Sequence, residues 1–367
     1  MSPKIAIKFT FVLISTFILL NAFLKISKDI GNADELALGK ATTSVYANFD
    51  DIKIHCEGYS NSSECINSAN ESSYPKVLWI GNSQLHAINQ FKEGDIPAPA
   101  ILHNLLKEEN KFLSTFSFPN ANLTEKYFLF KYLIYSMDVE TLILPIVMDD
   151  LREGEIRNDI KNIRNNKDFM NTLDLSDLST FQLLNKNSEN EDLDGVKNTF
   201  QQKSEFFLNQ IFSEYMEIWE RRPEMRAALF INLYKLRNTI FNISPSSERK
   251  MVPAFYKTNL FFLKKTLNDA TKNKINVILY IAPIRNDVKI PYNQDEYASL
   301  KNEVINLAKE LDITYLNLEN AVPNEFWGSK DSTNNSDKDE LDFMHFQHPG
   351  HIIFSDAIQN EFIFGHN

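Results

Sequence analysis

The apolar positions of this chain fall into short runs set between segments of helical spacing. Val77–Ile80 (VLWI), bounded by Pro75 and Gly81, reads as a strand. Phe112–Phe118 (FLSTFSF) alternates weakly and reads as a second strand. Leu123–Met137 places Leu123, Phe128, Tyr132 and Tyr135 at helical intervals. Thr141–Val147 (TLILPIV) is almost continuously apolar, as expected of a strand covered on both faces. Further on, Phe255–Asn273 reads as a helix, Asn276–Ala282 as a buried strand, Glu296–Leu311 as an amphipathic helix and Ile313–Leu318 as a strand. A polar loop over Gly328–Glu340 leads to a last helix at Pro349–Phe362. Strands alternating with helices predict an α/β fold: a doubly wound parallel sheet, layered as in flavodoxin, with ligand sites at the carboxyl ends of its strands.

Two regions depart from this rhythm. Residues 151–250 are charged and helical in pattern, with a loop at Asn185–Asp194. They read as a helical insertion, either a lid or subdomain or an ordinary peripheral layer. At the N-terminus, Phe9–Leu24 carries no charge, and with Ile5–Ile7 it approaches the ~20 apolar residues of a spanning helix. Lys4 and Lys8 precede the run, and Lys25 and Lys28 follow it. A retained single-pass transmembrane anchor over residues 1–28 is the favoured reading; a cleaved signal sequence and a buried helix are the alternatives. Residues 29–74 read as a polar stalk and 75–365 as the α/β domain.

Composition narrows the setting. Thirty-eight Lys and Arg against 49 Asp and Glu give a net charge of −11, which argues against a nucleic-acid-binding face. The two cysteines, Cys56 and Cys65, flank a polar loop; in an exported protein they form a disulfide, in a cytosolic one two free thiols. Together with the apolar N-terminus they favour an oxidising compartment, with everything beyond about residue 30 outside the cytoplasm. There is no internal repeat, no Gly-rich phosphate loop and no CxxC, so no cofactor is expected.

Two motifs offer chemistry. Gly81-Asn82-Ser83-Gln84 follows the VLWI strand directly. A serine at a strand-to-helix turn stands exposed at the sheet edge, where its own amide can hold an oxyanion; the plainer alternative is a helix N-cap. Asp342-Phe343-Met344-His345 lies near the C-terminus. A serine hydroxyl needs a base to take its proton, imidazole serves near neutral pH, and a carboxylate orients the ring.

In order and spacing, VLWIGNSQLHAIN (77–89) and DFMHFQHPGHIIFSDAI (342–358) resemble the terminal blocks of the SGNH/GDSL hydrolase superfamily. The layout resembles its membrane-anchored, DltD-like and alginate O-acetylation-like branch. The resemblance implies Ser83 as nucleophile with Asp342 and His345 as its charge-paired base. It implies extracytoplasmic acyl transfer or ester hydrolysis on an envelope polysaccharide, with a multipass membrane O-acyltransferase as partner. A plain exported esterase or lipase, and an inactive carbohydrate-binding or scaffold module, are the alternatives. The resemblance points to the Ser83 amide and to Asn120, Ala121 and Asn122 for the oxyanion, although no glycine stands there. Where the family has an Asn after its central strand, this chain has Asp149 and Asp150, and an ionised carboxylate cannot donate to an oxyanion. Asp149, Asp150, Arg152, Arg157, Arg285, His348 and His351 are further candidates for binding substrate, the two histidines at the site entrance; helix capping before LREGEIR is the alternative for the Asp pair, and surface ion pairing with neighbouring Asp and Glu is the favoured reading of the arginines. His345, His348 and His351 are spaced by three, but Pro349-Gly350 interrupts them and no metal site is expected.

Overall fold

The computed structural model describes residues 41–49, 52–186, 233, 235–333 and 338–364. The expected anchor at 1–28 and residues 187–232 of the expected insertion lie outside the described residues. Among the described residues, no helix is long and apolar enough to cross a membrane. The chain divides into two compact units. In the smaller (Met1–Gly39, Asn190–Ile243 and Thr333–Ser336), residues 235–240 are helical and the Asn238 side-chain amide donates to the Thr333 carbonyl.

The larger unit is an α/β fold around a six-stranded, wholly parallel sheet. Its strands are β4 (His55–Cys56), β5 (Lys76–Gly81), β7 (Phe112–Ser117), β8 (Val139–Ile146), β9 (Asn276–Ile281) and β10 (Thr314–Asn317), in the spatial order β10-β9-β8-β5-β7-β4. From β5 the chain winds outward to β7, then crosses back to β8 on the other side. β5 is therefore the topological switch point, where doubly wound sheets open a crevice at their carboxyl edge.

The period of two along each strand sorts side chains onto two faces. Leu78, Ile80, Leu142, Leu144, Leu279 and Ile281 join one core with helices α1 (Ser62–Glu71), α3 (Leu123–Ser136), α7 (Pro253–Lys272) and α8 (Gln294–Glu310). Val77, Trp79, Ile143, Ile278 and Tyr280 join the other with α2 (Ala98–Glu108) and α9 (His348–Phe364). Trp79 and Tyr280 are fully buried, and the indole N–H donates to the Tyr280 hydroxyl at 3.1 Å, so their polar ends are satisfied inside the core.

Several expectations need correction. The described part of the 29–74 segment is not a free stalk. It supplies edge strand β4, helix α1, the two-residue hairpin strands β2 (Asn48–Phe49) and β3 (Ile52–Lys53), and β1 (Thr42–Ser44), which pairs antiparallel with β6 (Ala87–Asn89). Ile54, Cys56, Cys65 and Ala69 are buried; such isolated apolar residues in a polar background show no periodicity. Cys56 and Cys65 are joined in a disulfide that ties α1 to β4. The polar loop expected over Gly328–Glu340 is partly strand, because β11 (Trp327–Lys330) pairs with β12 (Glu340–Phe346). The described start of the 151–250 region is a peripheral layer: α4 (Asn158–Lys161), α5 (Lys167–Thr172) and α6 (Leu175–Lys186) bring Ile160, Phe169 and Phe181 against Phe128 and Tyr132 of α3.

Candidate active site

The turn after β5 is built by its own sequence. Gly81 closes the strand where an added Cβ would sit 2.4 Å from Leu85 Cδ1, so any larger residue would have to displace the buried Leu85 side chain. Asn82 is extended and caps a single 3-10 turn, Ser83–Leu85, by accepting from the Gln84 amide at 3.1 Å. The expected helix after the serine is this one turn, running straight into β6. Its dipole is correspondingly small. No acceptor among the described residues takes the Ser83 amide. The Gln84 side chain donates to the carbonyls of Pro283 and Met344, both at 2.9 Å, and so pins the turn to the β9 loop and to β12.

β12 brings the other two groups. Asp342 Oδ1 accepts from the amides of Met344 at 2.9 Å and His345 at 3.0 Å, which folds the strand back on its own carboxylate. Asp342 Oδ2 meets His345 Nδ1 at 3.0 Å, and His345 Nε2 meets Ser83 Oγ at 2.9 Å. Because a carboxylate only accepts, Nδ1 carries the proton and Nε2 turns its lone pair to the serine hydroxyl. Burial alone would raise the Asp342 pKa. The adjacent His345, through charge and hydrogen bond, together with Lys330 and the Met344 amide, holds it well below the usual carboxylate range. The Asp342 side chain is 3% exposed and that of His345 12%, leaving a narrow opening at the ring.

The remaining candidates divide. Asn120 is exposed with φ 51°, and Ala121 is buried. The Asn122 side chain is already committed: it caps α3 in a reciprocal box with Glu125 and donates to the Glu155 carbonyl at 2.8 Å, so it is no oxyanion donor. Asp150 is buried in an ion pair with Lys126 at 2.5 Å and accepts from Asn82 Nδ2 at 3.1 Å. It buttresses the Ser83 turn from beneath, its carboxylate taken by Lys126 and Asn82. Asp149 is held by Arg152, Arg249 and the Tyr292 hydroxyl. Arg285 is taken by Asp287, through both carboxylate oxygens, and by the Gly328 carbonyl. Arg157 pairs with Glu125 over the Phe118 ring. These arginines are structural staples. His348 and His351 do not frame the entrance either. His348 bonds the backbone of Ile96, and His351, fully buried against Phe346, accepts from the Ala98 amide at the start of α2. Among the described residues, no group of three His, Cys, Asp or Glu is placed to hold a metal.

Three contributors escaped the sequence reading: Asn89, which reaches Asp342 Oδ2 at 3.3 Å, Gln84 and Lys126. Lys126 left a trace, a charge in the helical run it shares with Glu125 and Lys131. Asn89 and Gln84 left none, because apart from Thr42 their side-chain partners lie about 200 or more positions away. Beside the turn, His55 Nε2 and His86 Nδ1 both meet Ser117 Oγ at 2.7 Å, with Tyr46 stacked on His86. Burial lowers the pKa of both rings, so they are neutral.

No family model and no curated relative matches the chain. Among solved structures it is similar to a proposed acylhydrolase from Bacteroides fragilis, with 11% identity, TM-score 0.37, and coverage of 82% of this chain and 95% of the other. It is also similar to a GDSL-like lipase from Bacteroides thetaiotaomicron, with 11% identity, TM-score 0.34, and coverage of 78% and 86%. The chemistry of the site stands on the hydroxyl–imidazole–carboxylate line alone.

Proposed function

We propose that this chain is a serine-dependent ester hydrolase or acyltransferase of the SGNH type. The observation that carries this reading is the continuous line Ser83 Oγ–His345 Nε2, 2.9 Å, and His345 Nδ1–Asp342 Oδ2, 3.0 Å, at the switch point of the sheet. Ser83 Oγ attacks an ester carbonyl carbon as His345 Nε2 takes its proton, and Asp342 steadies the imidazolium. The Ser83 amide receives the oxyanion, with the backbone at Asn120–Ala121 the second donor. The tetrahedral intermediate collapses, His345 returns the proton to the leaving alkoxide, and an acyl-serine remains. A second hydroxyl, from water or a sugar, gives its proton to His345, attacks the acyl carbon and frees Ser83.

The finer reading places this chemistry outside the cytoplasm on a single N-terminal anchor, with an envelope polysaccharide as acyl acceptor and a multipass O-acyltransferase as donor partner. It is supported by the apolar 9–24 run and by the Cys56–Cys65 disulfide, a bond of oxidising compartments. The test is covalent labelling by a fluorophosphonate. The unaltered chain is expected to label at Ser83, and Ser83→Ala to be silent. Equal labelling of both would overturn the assignment. Hydrolysis of p-nitrophenyl acetate, with and without an added polysaccharide acceptor, then separates hydrolase from transferase.

A further inference from the structure

We infer that Asn89 is a fourth, positioning member of the catalytic line, holding Asp342 as Asp342 holds His345; this rests on the reading of Ser83, His345 and Asp342 as a triad. Among the described residues, Asp342 Oδ2, the oxygen that faces the imidazole, has one other side-chain hydrogen-bond partner, Asn89 Nδ2 at 3.3 Å. The same amide nitrogen lies 2.9 Å from the Ser329 carbonyl and 3.1 Å from Thr42 Oγ1. One proton goes to Ser329. Thr42 and Asp342 share the other, and the carboxylate, carrying charge, is the stronger acceptor.

Two acceptor-only oxygens beside one nitrogen fix which way the amide points. Flipped, it would set its oxygen against the Ser329 carbonyl and the Asp342 carboxylate. In the observed orientation Asn89 Oδ1 is buried without a partner among the described residues, a state that folded proteins seldom retain without cause. Gly328 makes the seat possible, since a Cβ there would lie 1.8 Å from Asn89 Oδ1. Asn89 itself is placed by β6, whose pairing with β1 sets Thr42 opposite Asn89. The residue thus joins β1, β11 and β12 at the back of the carboxylate, and the segment expected to be a stalk contributes to the site.

The hydrogen bond fixes the carboxylate plane and draws off part of its charge. Without it the carboxylate keeps the two amide bonds at Oδ1 but loses its restraint at Oδ2 on the side away from the ring, and it stabilises an imidazolium more strongly. Two effects follow for Asn89→Ala: slower proton transfer, and an acid limb of kcat/KM moved to higher pH. The other charged or titratable groups that bear on this pair are Lys330 on β11, His86 after the Ser83 turn and His351 at the start of α9, which His348 adjoins. Among the described residues, Arg285, paired with Asp287, meets the same strands only through the carbonyls of Phe343 and Gly328.

The experiment measures the fluorophosphonate labelling rate, kcat, KM and the pH profile for the unaltered full chain, Asn89→Ala and the near-isosteric Asn89→Asp. The expected result is about a tenfold fall in kcat and labelling rate for Asn89→Ala, with KM little changed and the acid limb moved up. Asn89→Asp, which sets a second carboxylate beside the first, moves the limb further the same way and carries the test should the alanine variant not fold. Folded variants with unaltered kcat and limb would overturn the inference. So would a fall in activity with the limb unmoved, which marks a merely structural residue. Absence of Ser83 labelling in the unaltered chain would sink the triad itself, a separate and distinguishable failure.

Discussion

At the scale of the residue, the site is a chain of dependencies. Ser83 is ordinary until His345 Nε2 faces it, and His345 has one useful tautomer because Asp342 accepts from Nδ1. Groups that act as one unit lose their effect together. Ser83→Ala and His345→Ala are each expected to lower kcat/KM by about 10³-fold or more, and the double substitution to cost little beyond either. Steady-state rates on p-nitrophenyl acetate, with circular dichroism to confirm folding, measure this. Additive losses would mean that the two side chains do not work as a pair. Gln84 belongs to the same scale. Its two 2.9 Å bonds couple the position of the serine to that of the strand bearing the histidine.

At the scale of the element, the turn after β5 rests on the pair between α3 and the end of β8. Lys126 and Asp150 are almost wholly buried, at 1% and 2% side-chain exposure, and Asp150 also accepts from Asn82. A buried pair contributes little over an apolar one, but removing one partner strands the other charge. Lys126→Met is therefore expected to lose about 3–5 kcal/mol of stability, and Lys126→Met with Asp150→Leu to recover much of that loss. Urea denaturation reads both, and a single variant as stable as the unaltered chain would refute the pairing. The Asp149-Asp150 doublet had suggested a defective oxyanion donor, and the structure gives Asp150 a different task. What was legible at this scale follows from periodicity. Strands at VLWI and TLILPIV, and the helices near 123–137 and 255–273, announced themselves because each buries a continuous face. The strands before residue 75 did not, being two or three residues long, nor did the ten-residue α1, whose sequence is mostly polar; their burial is fixed by the disulfide and by sheet pairing. α2 was hidden by Pro97 and Pro99, which read as punctuation, although a proline in the first helical turn is compatible with a helix. Ser83, Asp342 and His345 were legible because short local motifs carry them. Asn89 and Gln84 were not, since a side-chain amide has no meaning until its distant acceptors are known.

At the scale of the whole molecule, the neutral buried histidines make the fold sensitive to acid. His55 and His351 are fully buried, and burial, aided by Lys53 at His55 and by His348 and His345 at His351, lowers both pKa values to about 3. Burial lowers His86 in the same direction. In the unfolded chain each ring binds a proton below its ordinary value of 6.5, while in the folded chain it does not. Protons therefore favour unfolding. The stability contributed by the three neutral rings is complete above about pH 6.5 and is lost as pH falls toward the folded values, at up to roughly 1.4 kcal/mol per pH unit for each ring. Asp342, also lowered, acts in the same sense but only at the acid end, below the ordinary carboxylate value of 3.8. Asp150, raised by burial against the pull of Lys126 and Asn82, opposes them. His103, lowered by burial, acts with the three rings, and Glu153, raised by burial, acts with Asp150; four rings against two carboxylates set the sign between pH 6.5 and 4. The melting temperature is expected to fall steeply over that interval, and a single His55→Gln substitution to flatten the fall even if it lowers Tm at neutral pH. Calorimetry at half-unit steps tests this, and a Tm constant from pH 7 to 4.5 would refute it. Activity lost on brief acidification and regained at once reports the site itself, whereas loss that follows the melting curve reports the buried rings.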